Sequence, residues 1–81
     1  MLAFLLLLLF PQHVIRHEQY PTVDHAPTAY QPRDMTIAPM GPYRLLIGEN
    51  ESYCVVTADD YVQTADGDLF NCKAGWQTPR H

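Results

Sequence analysis

Leu2–Phe10 is a run of almost pure leucine and phenylalanine that stops at Pro11, and this limits the chain's fold more than any other feature. Such a segment cannot remain in water, so another surface must cover it. At about 1.5 Å per residue, a helix over this run reaches roughly 15 Å, about half of a bilayer core of ~30 Å. Leu2, Phe4, Leu5, Leu6, Leu7, Leu8, Leu9 and Phe10 therefore read as an apolar anchor, helical in any dry setting because leucine is a strong helix former. Pro11 either ends that helix or opens a second short one through Gln12–Gln19, with Val14 and Ile15 as its narrow apolar edge.

A secretory leader is the common meaning of such a start. It has a basic flank, an apolar stretch and a small-residue cleavage site. Here the apolar stretch is present, but no Lys or Arg precedes it and no Ala-x-Ala-like site follows. The run is therefore read as a retained anchor, with a cleaved signal peptide as the alternative.

With 81 residues the chain holds one small domain at most. Domains of this size bury only about 60% of their unfolded surface and often need a staple or a partner. The net charge of −4 argues against a nucleic-acid partner, which calls for a basic patch. The acidity lies mainly beyond Pro42, in Glu49, Glu51, Asp59, Asp60, Asp66 and Asp68.

Composition divides the chain into four zones. Residues 1–19 are the anchor and its short helical extension. Residues 20–42 carry prolines at 21, 27, 32, 39 and 42, a density that favours extended, polyproline-like backbone. Within this strap Tyr20, Tyr30, Met35, Ile37 and Met40 are spaced to dock singly against a partner. Residues 43–76 read as a small β module, and 77–81 as a tail. The fold expected is small and β-rich: a short apolar N-terminal helix, an extended Pro-rich strap, and a C-terminal antiparallel meander of three or four short strands.

The strands of that meander are Tyr43–Ile47, Ser52–Thr57, Tyr61–Thr64 and Leu69–Lys73, rich in β-branched and aromatic residues. Gly48–Glu51, Ala58–Asp60 and Ala65–Asp68 form the turns, and Asp66-Gly67 is the strongest hairpin signal. Period-two alternation puts Cys54 with Val56 on one face and Tyr53 with Val55 on the other, while Phe70 and Cys72 share a face. Cys54 and Cys72 can form one disulfide or remain reduced thiols. In a flat meander a strand lies between them, setting them about 9–10 Å apart, whereas a disulfide needs Cα atoms within about 7 Å. A bond therefore requires a curled sheet or a different strand order.

No motif with a reaction attached is present. His13 and His17 have i, i+4 spacing, with Glu18, Asp24 and His25 nearby, but no cysteine pair or His-Glu-x-x-His accompanies them. They read as a solvated turn. The four aspartates at 59, 60, 66 and 68 fit no EF-hand spacing, and turn chemistry explains them. Asn50-Glu-Ser52 matches the glycosylation sequon. Ser52 is the single serine and has no nucleophile-elbow context. No catalytic residue, metal, cofactor or small-molecule substrate is expected.

The reading is a non-catalytic structural or accessory subunit of a larger assembly, in contact with other protein subunits and with lipid through residues 1–10. A virus particle is preferred to a membrane complex. The alternative is an exported, disulfide-stabilised binding module, periplasmic or secreted, whose leader is removed.

Overall fold

A computed structural model describes residues 10–32 and 40–80. The anchor residues Leu2 and Phe4–Leu9, with Met35 and Ile37 of the strap, lie outside the described residues. The elements are β1 (Gln12–His13), β2 (Arg16–Tyr20), β3 (Tyr43–Ile47), β4 (Tyr53–Val55), α1 (Ala58–Gln63) and β5 (Leu69–Phe70). One antiparallel sheet has the order β2-β3-β4, and β1 pairs with β5 in a separate antiparallel ribbon.

β3 is the centre of the molecule because it is apolar toward both faces. Tyr43, Leu45 and Ile47 point into one cluster with Ala26, Tyr30 and Tyr53. Leu46 points into the other with Val14, Cys54, Cys72 and Trp76. A strand buried on both faces needs a neighbour along each edge, or its N–H and C=O groups are stranded away from water. β4 covers one edge as the hairpin expected from sequence, and β2 covers the other.

The β2 pairing corrects one expectation. Gln12–Gln19 is not a helical extension but two strands, the second paired from Arg16↔Ile47 to Tyr20↔Tyr43. Pro11 disfavours a continuous helix through this point, β-branched Val14 and Ile15 suit extended backbone, and the open edge of β3 supplies the partner.

A second correction concerns the expected strand Tyr61–Thr64, which lies largely within α1. Thr57 caps this helix by accepting a hydrogen bond from Asp60 N at 3.2 Å, and Asp59 and Asp60 occupy its positive first turn. The cap outweighs the β preference of Tyr61 and Val62. The Ala65–Asp68 turn does form, with Asp68 N donating to Ala65 O at 3.0 Å and Gly67 at φ +94°. The strand it launches, however, pairs with β1 and is only two residues long. With no strand between them, Cys54 and Cys72 come to a Cα separation of 6.0 Å and are bonded.

The described part of the strap also departs from expectation. Residues 20–32 contain single 3₁₀ turns at Val23–His25 and Thr28–Tyr30, and they fold back onto the chain's own sheet. Tyr43 donates its hydroxyl to Tyr30 O at 2.7 Å, and Tyr53 donates to Gln31 O at 3.2 Å. Two core tyrosines thereby satisfy carbonyls that the Pro-rich backbone leaves without internal partners. Gln77 and Arg80 are likewise pinned. Tyr53 and Gln77 exchange backbone hydrogen bonds at 2.9 and 2.8 Å, and Arg80 N donates to Ala29 O at 2.9 Å.

Candidate functional site

The site with the most functional content is the junction where the apolar run enters the folded body. Phe10 is exposed, and by Gln12 the chain is already strand. Gln12 is buried, and its Oε1 accepts from Glu49 N at 2.8 Å and from Ser52 Oγ at 2.7 Å. The Ser52 hydroxyl lies between that oxygen and Glu49 O, also at 2.7 Å, so the lone serine serves structure. Gly48 leaves room for this lock. A Cβ there would lie 2.5 Å from Gln12 Oε1 and 2.9 Å from the Trp76 ring. Phe10, Pro11, Gln12, Glu49 and Asn50 line a shallow cleft of about 90 Å³. Small-molecule sites generally need about 300–1,000 Å³.

Beside the junction, the 3₁₀ turn Glu49–Glu51 holds Asn50 at φ 57° and Glu51 at φ 62°. Left-handed backbone is unfavourable for a glutamate. The side chain of Glu51 is fixed by Arg16, whose Nη1 and Nη2 reach its two carboxylate oxygens at 3.0 and 2.7 Å. Arg16 Nε also bonds Glu18 at 3.0 Å, and Arg16 Nη2 donates to Tyr30 Oη at 2.7 Å. The Tyr30 hydroxyl in turn donates to Glu51. Hydrogen bonds from Arg16, then from Tyr30, hold the Glu51 carboxyl down at about 2. The same bonds, Glu51 first and Glu18 second, push the Arg16 guanidinium up. Burial pushes the Tyr30 hydroxyl up, with Glu51 adding to the effect.

On the opposite face of β2, His17 is clamped between two acceptors. Its Nδ1 lies 2.5 Å from Asp66 Oδ1 and its Nε2 lies 2.6 Å from Thr64 O. Tyr61 meets the ring edge-on with centroids 5.0 Å apart. This clamp ties the loop after α1 to β2.

The sequence-nominated partner contacts separate into distinct environments. Tyr30 is buried in the chain's own core, and Tyr20 is half-buried against the same cluster. Met40 is 96% exposed. His13 and His17, imagined on one helix face, sit on different strands, and His17 is held by Asp66. Among the described residues no group of three or more His, Cys, Asp or Glu could hold a metal ion. Asn50 of the sequon is exposed, while Ser52 is buried.

Sequence reasoning did not single out the roles of Gln12, Arg16 or Glu51, and it weighed His17 only as half of a weak His13–His17 metal pattern. All four act through partners at least 35 residues away in the chain, and no local spacing signals such contacts. Comparison with protein-family models, with curated proteins and with solved structures finds no match to this chain.

Proposed function

We propose that this chain is a small, non-catalytic structural or accessory subunit of a larger assembly, held in place by its apolar N-terminus. The observation that carries this reading is the directness of the junction. The apolar run ends at Phe10, β1 begins at Gln12, and the Gln12 side chain is locked to Ser52 and Glu49. Whatever surface takes up the run therefore holds the β module against itself, with no tether between them. A cleft of about 90 Å³ and a serine committed to structure favour presentation over chemistry. A virus particle and a membrane complex are the assemblies considered.

The second reading, an exported binding module whose leader is removed, draws support from the bonded Cys54 and Cys72, since disulfides persist in oxidising compartments. Intact-mass measurement on protein from its native source separates the two. The anchored subunit retains Leu2–Phe10 and requires detergent or its assembly to stay dispersed. A mass lacking the apolar run, from a freely soluble monomer, overturns the first reading and establishes the second.

A further inference from the structure

The β1–β5 ribbon has an outward face that the other described residues leave uncovered. Directly opposed residues of an antiparallel pair share a face. Gln12 and Phe70 turn inward, with Gln12 buried and Phe70 packed on the core beside Trp76. His13 and Leu69, opposed in the next pair, turn outward, and Leu69 is 61% exposed. The pairing runs on past β1, with Val14 N donating to Asp68 O at 2.9 Å and Gly67 N to Val14 O at 2.7 Å. Val14 is buried, so Ile15 falls on the outward side with His13, and it is 55% exposed. Phe10, also 55% exposed, stands where the chain enters this ribbon.

We infer that this outward face, with Ile15 and Leu69 at its centre, rests on the surface of a zwitterionic lipid bilayer. The inference depends on the anchored reading given above and names lipid as the anchoring surface. Continuity identifies the occupant. An apolar run whose length as a helix would be about half a bilayer core ends at Phe10, and the segment that follows presents exposed Ile15 and, across the ribbon, exposed Leu69. Inserted as a helix, a run of that length would leave its last residue at the lipid–water boundary, with the adjoining ribbon at that level. The charge pattern selects the headgroup. Neither 10–15 nor 66–71 contains Lys or Arg, while Glu49 lines the junction cleft and Asp66 and Asp68 flank the turn before Leu69. Anionic lipid would meet carboxylates there, whereas phosphatidylcholine presents no net charge.

Opposite ends of the fold provide an internal control. Ile15 N donates to Ile47 O, and Arg16 pairs with Ile47 at the ribbon end of the sheet. Tyr20 pairs with Tyr43 at the other end, near Met40. The length of β2 separates these ends by about 13 Å.

The test uses the full chain reconstituted in phosphatidylcholine vesicles, a fraction of whose lipids carry bromine on the acyl chains near the headgroup. Single variants L69W, I15W and M40W are compared, and the signal of buried Trp76 in the unsubstituted protein is subtracted. L69W and I15W are expected to lose emission to the brominated lipid, and M40W to keep its emission. Equal quenching at all three sites overturns the inference, because the module then has no directed face. Absence of quenching in protein that floats with the vesicles also overturns it, and leaves the anchored reading standing; this is the result expected if residues 1–9 themselves cover Ile15 and Leu69. Protein that does not float with the vesicles overturns lipid as the anchoring surface altogether.

Discussion

Arg16 holds Glu51 through two parallel hydrogen bonds, joining an edge strand to the left-handed turn between β3 and β4 across 35 residues of sequence. Paired contacts of this kind are the stronger form of surface ion pair, although a half-exposed carboxylate tempers the effect. Glu51 titrates at about 2 in the folded protein against an ordinary 4.5. Its folded value is depressed, so its contribution to stability is complete above 4.5 and is lost as pH falls through about 2. Thermal melts between pH 6 and pH 1.5 should show the wild type losing its advantage over Glu51→Gln within that window. A constant difference between the two would contradict the pairing.

Gly48→Ala should destabilise the fold by about 1–3 kcal/mol through overpacking. The backbone itself permits alanine, since φ is −105° at this position. The cost comes from the new methyl meeting Gln12 Oε1 at 2.5 Å and the Trp76 ring at 2.9 Å. Denaturant midpoints report the loss, and hydrogen exchange at Glu49 N should rise with it as its acceptor is displaced.

Reduction of Cys54–Cys72, or their joint replacement by serine, should cost about 3 kcal/mol on chain-entropy grounds for a bridge spanning 18 residues. A domain of this size shifts its melting temperature by about 4–8 °C per kcal/mol, so the expected fall is roughly 12–24 °C. Calorimetry with and without reductant measures it. An unchanged melting temperature would mean that the packing of Val14, Leu46 and Trp76 holds this face without the bridge.

Tyr43→Phe removes one hydroxyl from a fully buried ring and leaves the Tyr30 carbonyl without that donor. The expected loss is about 1 kcal/mol, at the usual scale for one buried hydrogen bond. Burial pushes this hydroxyl's titration well up, so in the wild type it should stay protonated through alkaline pH as long as the fold persists. Ultraviolet titration of the tyrosines checks both points, because Tyr43 should ionise only on unfolding.

What the sequence revealed and what it hid follow the range of the interactions. β3 was legible to the residue, because Tyr43, Leu45, Leu46 and Ile47 make it strongly apolar with Arg44 as its one charged residue. The facing of Tyr53 and Cys54 followed from strand parity alone, and the two residues do enter opposite clusters. β2 was illegible: Arg16-His-Glu-Gln-Tyr20 has little strand character, and it is extended because β3 offers an open edge. The helix signal of Thr57 with Asp59 and Asp60 was present, but β-rich Tyr61 and Val62 obscured it. At the junction, composition identified the apolar run, whereas the Gln12–Ser52 contact, 40 residues apart in sequence, had no local trace. Tyr30 looked like a partner contact because a tyrosine among prolines has no visible core nearby; the sheet that receives it is assembled from elsewhere.

The abrupt entry of the chain into β1 also has a mechanical meaning. A pull on the apolar run is delivered at once to the pairs Gln12↔Phe70 and His13↔Leu69. Two residues beyond Phe70, Cys72 passes the load through a covalent bridge to Cys54 in β4, and so to the central strand. Force applied at the anchor is thus carried into the best-packed part of the molecule over a few residues, and this small domain should withstand traction at its N-terminus better than its size suggests.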